Sequence, residues 1–193
     1  GSSIRDYGID NDGTINTGEG DDTITGTSIR DAGIDNDGTI NTGEGDDKIT
    51  GTSIRDYGID NDGTINTGKG DDTITGTSIR YEGIYNEGTI NTGKGSDVVN
   101  ALEGRFGGNG DTYLGGGSDT IKGFGTGNFY GGNGIDKMLF CQGTYTVSGS
   151  IIVSDGMKMN VNEFENIGGA NGGLFALKDG TLTVDSAGVG TFA

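Results

Sequence analysis

The chain has 193 residues, of which 43 are Gly and none is Pro, His or Trp. Its net charge of -17 disfavours nucleic acid and anionic membranes as partners and favours cations. The absence of His removes the usual catalytic triads and zinc sites. No stretch approaches the roughly 18 apolar residues of a membrane span. We therefore expect neither an enzyme nor membrane insertion.

A unit of 25 residues is repeated four times in tandem, starting close to the N-terminal end. The unit SIRDYGIDNDGTINTGEGDDTITGT begins at Ser3 and recurs from Ser28, Ser53 and Ser78, with a divergent fourth copy. Polar residues alternate around each isoleucine, which is the period of a β-strand, and Gly-rich corners separate the short strands. Units stacked at about 4.8 Å would bury four isoleucine columns that one unit alone could not bury. These columns begin at Ile4, Ile9, Ile15 and Ile24.

This strict period predicts an all-β fold, a right-handed parallel β-solenoid (a β-roll or β-helix) with 25-residue coils, in preference to a sandwich. Residues 1–102 are expected to form the four repeated coils and residues 103–140 shorter, irregular coils. Residues 141–193 should form a C-terminal β-strand capping region of the same continuous domain, because an open solenoid end invites end-to-end growth. Met157, Met159 and Phe164 are expected in the core, and Cys141 in a buried strand as inert packing.

Stacking would also place like charges above one another. Residues 3–102 carry 20 acidic and 7 basic side chains, so the repeats hold most of the negative charge. Two carboxylates about 5 Å apart repel by about 1 kcal/mol in water and by more when they are desolvated. The doubled acids at Asp21 and Asp22, repeated in later coils, therefore need a counter-ion or raised pKa values.

The segment GEGDDTI resembles G-x-G-x-D-x-U, part of the calcium-binding nonapeptide of RTX (hemolysin-type) proteins. Six segments fit this pattern, and GGNGIDKM fits the nonapeptide in full. The resemblance implies that the ligating carboxylates are those of Asp22, Asp47, Asp72, Asp97, Asp119 and Asp136. It implies further oxygen ligands from backbone carbonyls near Gly18, Gly20, Gly43, Gly45, Gly68, Gly70, Gly93, Gly95, Gly117 and Gly134. Calcium takes six to eight oxygen ligands, which two adjacent turns can supply.

The number of ions follows from the number of turns. Three to five Ca²⁺ ions are expected between successive turns, in a single row, because each coil carries one motif. Thr17 and its three equivalents stand where the nonapeptide has its first glycine. A second row at Asp10 and Asp12 stays open, although Tyr85 and Glu87 do not keep those ligands in the fourth copy. Asn11 and its equivalents predict an inward amide ladder on the same corner.

The repeats also resemble cyanobacterial calcium-binding repeat proteins, over nearly the whole chain. Together these resemblances imply a secreted or cell-surface structural or adhesive module stabilised by calcium, and we expect a monomer. One alternative is an ice- or surface-binding solenoid that uses outward threonine rows. These rows would contain Thr23, Thr25, Thr50, Thr73 and Thr75. Another alternative is that the Gly-Asp corners are solvated turns without metal.

Overall fold

The fold is a β-solenoid of stacked parallel coils, as the repeat predicts. It is described by a computed structural model that covers residues 1–193 and contains no helix, so no helix is available to cross a membrane. Each of the four repeated coils has three strands. They are β1 (Ile9–Asn11), β2 (Thr14–Glu19), β3 (Thr23–Ser28), β4 (Ile34–Asn36), β5 (Thr39–Glu44), β6 (Lys48–Ser53), β7 (Ile59–Asn61), β8 (Thr64–Lys69), β9 (Thr73–Ser78), β10 (Ile84–Asn86), β11 (Thr89–Lys94) and β12 (Val98–Asn100).

Corresponding strands of successive coils pair in parallel and in exact register with the sequence repeat. Ile9 pairs with Ile34, Thr14 with Thr39 and Thr23 with Lys48, each an offset of one repeat. Three sheets result, and they begin with β1, β2 and β3 respectively. We call them the first, second and third sheets. Because pairing partners are copies of one another, each position along the unit becomes a column of identical side chains.

Three of the four predicted isoleucine columns form the core, and one does not. Ile34, Ile40 and Ile49 are fully buried, as are their equivalents in the third coil. The column that begins at Ile4 was wrongly predicted to be buried, because Ile4 is 68% exposed and Ile79 is 74% exposed. The cause lies in the preceding serine.

The Ser28 side chain faces inward and holds the turn that follows it. Its hydroxyl accepts the N–H groups of Arg30 and Asp31 at 3.3 and 3.2 Å and donates to the carbonyl of Asp6 at 2.7 Å. This local hydrogen bonding replaces a strand by a turn. Ile29 therefore sits at the tip of the turn and points away from the core.

The predicted asparagine ladder is present on the corner after the first strand of each coil. Asn11, Asn36, Asn61 and Asn86 are buried, and each of the first three side-chain amides donates to the next Asn Oδ1 at 2.7 Å. The last, Asn86, donates to the Asp111 carbonyl at 3.1 Å. The ladder fixes the stacking register on this corner.

After the repeats, the coils shorten and large side chains fill the core. The spacing between stacked aspartates falls from 25 residues to 22 and then to 17. Phe129 and Met138 continue columns that hold isoleucine in the repeats, and Leu114 and Phe140 are buried beside them. The strands of this section are β13 (Phe106–Gly107), β14 (Asp111–Tyr113), β15 (Gly116–Gly117), β16 (Thr120–Lys122), β17 (Gly127–Tyr130), β18 (Asn133–Gly134) and β19 (Lys137–Phe140).

The C-terminal section ends the parallel stack with antiparallel strands. It contains β20 (Gly143–Ser148), β21 (Ile151–Ser154), β22 (Met157–Asn162), β23 (Asn166–Gly169), β24 (Gly172–Ala176), β25 (Gly180–Val184) and β26 (Gly190–Phe192). Of these, β22 and β23 still pair in parallel with the coil before them, whereas the other pairs in this section are antiparallel. Met159 and Phe164 are buried as predicted, and Met157 is half-buried.

The prediction for Cys141 was wrong, because this residue is exposed. β19 ends at Phe140, which is fully buried, and the chain then turns outward toward β20. Cys141 lies in this turn, where its carbonyl accepts a hydrogen bond from the Tyr145 hydroxyl at 3.0 Å. Its apolar neighbours in sequence therefore belong to the strand, whereas the thiol does not.

Candidate metal centre

The glycine turns have a backbone that only glycine adopts easily. Gly68 has φ +103°, and a Cβ on it would lie 2.1 Å from the carbonyl oxygen of Gly43 in the coil before it. Both the positive φ and the close stacking therefore exclude other residues. Positive φ is shared by Gly18, Gly20, Gly43, Gly45, Gly70, Gly93, Gly95, Gly115, Gly117, Gly132 and Gly134. All six motif segments thus form the same kind of turn.

These turns leave some carbonyl oxygens without a partner. None of the backbone hydrogen bonds outside the strands ends on the carbonyls of Gly20, Gly45, Gly70 or Gly95. The Gly45 oxygen points at the next coil, since it lies 2.1 Å from the place of a Cβ on Gly70. These oxygens are free to act as ligands of a cation.

The six predicted ligand aspartates form one column. The N–H of Asp47 donates to Oδ1 of Asp72 at 2.8 Å, and the N–H of Asp72 donates to Oδ1 of Asp97 at the same distance. The same 2.8 Å bond links the other neighbours along the column, which runs Asp22, Asp47, Asp72, Asp97, Asp119 and Asp136. Asp72, Asp97, Asp119 and Asp136 have no exposed surface. From Asp47 onward, one oxygen of each carboxylate therefore ties its coil to the coil before it.

The other oxygen of each carboxylate is an orphan. Oδ2 is buried and has no hydrogen-bond partner in any of the six residues, namely Asp22, Asp47, Asp72, Asp97, Asp119 and Asp136. A buried polar atom without a partner is costly, and a buried unpaired charge is more so. Each of these oxygens needs a cation or a proton.

The pKa values of these carboxyl groups reflect this cost. Burial raises the pKa of Asp72 to about 6 and the pKa of Asp119 to about 7, despite the N–H group that each Oδ1 accepts. Burial is also the main reason why the pKa values of Asp97 and Asp136 are raised. The apolar interior thus opposes ionisation in the absence of a counter-ion.

In the repeats, a threonine hydroxyl lies close to the carboxylates of Asp72 and Asp97. The Thr67 hydroxyl is close enough to the Asp72 carboxylate to lower its pKa, against the larger effect of burial. A hydroxyl has only one proton, and that of Thr67 is directed to the carbonyl of Thr92 at 3.1 Å. The geometry of this bond is good, so we assign the proton to the carbonyl and leave Oδ2 of Asp72 without a donor. The same arrangement recurs at Thr92, which lowers the pKa of Asp97 while its hydroxyl donates to the Leu114 carbonyl at 2.8 Å.

The first acid of each doubled pair has the opposite role. Asp21 is exposed, and its Oδ1 accepts the N–H of Asp46 in the following coil at 2.9 Å. Asp46 and Asp71 accept in the same direction, from Asp71 and Ser96. Ser96 can replace an acid because, at the end of this row, only its backbone N–H is needed. The two acids of a pair therefore bind the coil to both of its neighbours.

The aspartate column ends on a glutamate that the motif search missed. Glu165 Oε2 accepts the N–H of Asp136 at 2.7 Å, so it occupies the next position of the column. The strand register agrees, because Lys137 pairs with Asn166 and Met138 with Ile167. The segment ENI repeats the acid-x-apolar order of DTI and DKM, but no Gly-x-Gly precedes it. That order was the signal in the sequence that could have identified Glu165.

The other acidic corner lacks these orphaned oxygens. Asp10, Asp35 and Asp60 stack in the first sheet, with Tyr85 above them. Burial, and after it the carboxylates of Asp35 and Asp62, raise the pKa of Asp60 to about 7. None of the buried, unpartnered oxygens of the chain belongs to this corner. The second calcium row that the sequence leaves open therefore has no support of this kind.

One arginine recurs in each unit, at Arg5, Arg30, Arg55 and Arg80, but these arginines neutralise little of this charge. The two ion pairs of the chain join Lys69 to Glu44 and Arg105 to Glu82, and neither involves the repeated arginines.

The threonines of the alternative hypothesis, an ice- or surface-binding solenoid, lie on the third sheet. Thr23 and Thr25 are exposed, Lys48 separates Thr23 from Thr73, and Asn100 follows Thr75. These rows are therefore short and interrupted.

The aspartate column fits calcium by the nature of its donors. All are oxygen atoms, and the six orphaned Oδ2 atoms would gain a partner from an ion. No three acidic or Cys side chains converge to hold a metal by themselves. Backbone carbonyls would therefore have to complete the ligand set, as the glycine turns allow.

Comparisons with protein-family models, with curated proteins and with solved structures find no match to this chain. The interpretation of the site therefore depends on its own residues.

Proposed function

We propose that the chain is a calcium-binding β-solenoid that acts outside the cell, secreted or at the cell surface, as a structural or adhesive module stabilised by calcium. The observation that carries the proposal is the column of six carboxylates, each with one buried oxygen that lacks a partner. A column of like charges in an apolar interior opposes folding. A cation between the coils removes this opposition. The proposal assigns no catalytic activity and treats the chain as a monomer.

The ions would be held by the aspartates of neighbouring coils and by free carbonyls of the glycine turns. Asp47, Asp72, Gly45 and Gly70 would contribute to one such site, and equivalent residues to the others. Bound calcium supplies positive charge and up to eight coordination positions for oxygen. The resemblance of the turns to the RTX nonapeptide supports this choice of ion and a number of three to five.

The extracellular setting follows from the affinity that such sites need. Dissociation constants of about 10⁻⁴–10⁻³ M are sufficient at the calcium concentrations outside cells. With 10 mM calcium and a dissociation constant of about 10⁻⁴ M, one site stabilises the fold by about 2.7 kcal/mol. Several sites would make folding depend strongly on calcium.

Thermal unfolding in calcium and in chelator tests the proposal. The wild-type chain should unfold at a clearly higher temperature in 10 mM CaCl₂ than in EGTA. Asp72→Asn keeps an acceptor for the Asp47 N–H but removes the orphaned charge. In EGTA this variant should unfold at a higher temperature than wild type, and calcium should raise its unfolding temperature less. Its unfolding temperatures in CaCl₂ and in EGTA should therefore lie closer together than those of wild type.

Asp71→Asn is the matched control, since it removes the same charge from the adjacent, exposed residue. It should keep the full response to calcium. Equal unfolding temperatures of the wild-type chain in CaCl₂ and EGTA, with no heat of binding in a calcium titration, would show that the proposal is wrong.

A further inference from the structure

The last turn of the column differs from the repeated turns in what surrounds its aspartate. Asp136 belongs to the turn Gly131–Asp136, and the loop between β22 and β23 lies where the next turn would stand. This loop contains Glu163 and Glu165. It is the junction between the parallel coils and the antiparallel C-terminal strands.

Two oxygens without partners meet at this junction. Asp136 Oδ2 is buried and unpartnered, and none of the backbone hydrogen bonds outside the strands ends on the Glu163 carbonyl. The Glu163 oxygen lies 2.0 Å, and Asp136 Oδ2 2.7 Å, from the point that a Cβ on Gly131 would occupy. The two oxygens are therefore no more than about 4.7 Å apart. Two ligands of one calcium ion can lie up to about 5 Å apart, since each bond is about 2.3–2.6 Å long.

The backbone of Glu163 is strained in a way that places this carbonyl. Its φ is +60°, one of three positive values at residues other than glycine. Such a conformation is unfavourable and persists only where the surroundings require it. Here it directs an unbonded carbonyl at a buried, unbonded carboxylate.

Because residue 131 is a glycine, it places no side chain against the buried, orphaned oxygen of Asp136. The position is occupied by Thr17, Thr42, Thr67 and Thr92 in the repeated coils and by Leu114 in the fifth. A side chain on Gly131 would meet Asp136 Oδ2. Among the six turns, this one alone has a glycine at this position.

Two further carboxylates act on Asp136. Glu165 accepts its N–H, and after burial the charges of Glu165 and Glu163 help to raise its pKa. Both glutamate residues are exposed, so that an ion could reach them from solvent. Their free oxygens can complete a ligand set that the buried aspartate begins.

We propose that Glu163 and Glu165 form, with Asp136, a cation site at the junction of the coils and the C-terminal section. The site takes the carbonyl of Glu163, the carboxylate of Asp136 and the carboxylate of Glu165. It closes the ion row with ligands from outside the repeated motif. The identity of the ion as calcium rests on the proposed function above.

Calorimetric titration of the full chain with CaCl₂ tests this site. The double variant Glu163→Gln/Glu165→Gln removes both charges but keeps an acceptor for the Asp136 N–H. Its changes are at exposed residues, which preserves the fold. We expect it to lose one ion from the stoichiometry, or to bind one ion at least about ten-fold more weakly. Chelator should then alter the amide NMR signals of Asp136 and Lys137 less than in wild type.

Glu103→Gln is the matched control, because it removes a charge from another exposed glutamate. It should bind calcium as the wild-type chain does. Unchanged stoichiometry and affinity in the double variant, with calcium still bound, would overturn this site and leave the proposed function intact. No calcium binding by the wild-type chain would overturn both.

Discussion

The repeated coils and the residues that follow them belong to the same sheets, but their side chains have different kinds of stacking and packing partners. In the repeats, Asn stacks on Asn, Asp on Asp and Gly on Gly. After the repeats, the partners differ, and Phe124, Phe140 and Tyr145 pack with ring centroids 4.5–5.6 Å apart. Stacking of identical residues gives exact register, but it also multiplies every unfavourable contact. The mixed packing has no such constraint.

The difference explains where the charge lies. With the exception of Glu82, every acid in the repeats has another acid above or below it, so each added coil raises the demand for a counter-ion. Residues 103–193, which follow the repeats, carry a net charge of only -4. We therefore expect the repeats to respond to charge and stacking, and the C-terminal section to ordinary core packing.

The largest difference in stability between the two regions should come from replacing a glycine by alanine. Gly68→Ala places a Cβ 2.1 Å from the Gly43 carbonyl and keeps φ at +103°. We expect a loss of about 3–5 kcal/mol in the free energy of unfolding, from backbone strain and the clash together. Gly156→Ala in the C-terminal section meets no atom within 4 Å and should cost only about 1 kcal/mol for its φ of +77°. Urea denaturation measures both.

Gly18→Ala separates the two causes. Gly18 has the same φ as Gly68, +103°, but lies in the first coil, where a Cβ meets nothing. Its cost should match that of Gly156→Ala within about 1 kcal/mol. A cost for Gly18→Ala as large as for Gly68→Ala would show that backbone strain, and not stacking, makes glycine necessary.

A smaller contrast is expected between the asparagine ladder of the repeats and the single pair Asn128–Asn160 outside them. Asn61→Ala removes a fully buried amide that donates to Asn86 and accepts from Asn36, both at 2.7 Å. It leaves buried groups without partners and should cost about 2–3 kcal/mol. Asn160→Ala breaks a bond of 2.9 Å to Asn128, but both residues are half-buried, so water can replace it and the cost should stay below about 1 kcal/mol. Equal costs in urea denaturation would contradict the special role of the buried ladder.

Much of the fold could be predicted because a perfect repeat converts sequence into geometry. The columns that begin at Ile9, Ile15 and Ile24, and the Asn11 ladder, follow from the period and from strand alternation alone. The exposed column of Ile4 did not follow, because the Ser28 hydroxyl, and not hydrophobicity, decides the turn. Where the period is lost, prediction weakened, and Cys141 was assigned to a strand that ends one residue earlier.

The candidate site could be predicted in part. The motif identified the six aspartates that the fold brings into one column. It could not identify Glu165, which takes its place through the register of β23 and lacks the glycines. Nor could it reveal that Oδ1 is already engaged and that only Oδ2 is free, because this depends on the distance between coils.

The smallest expected effect concerns the acidic corner of the repeats and its dependence on pH. The folded-state pKa of Asp60 is raised from 3.8 to about 7, first by burial and then by Asp35 and Asp62. Folding therefore favours the protonated form, and this stabilisation is complete below pH 3.8 and is lost as the pH rises through 7. Asp60→Asn should raise the unfolding temperature by roughly 2–4 °C at pH 8 and by little at pH 5. Asp155→Asn removes the same charge from an exposed turn of the C-terminal section and should show no such trend. If Asp60→Asn raises the unfolding temperature equally at pH 5 and pH 8, the packing of the side chain, and not the charge of the stacked column, limits the stability of the repeats.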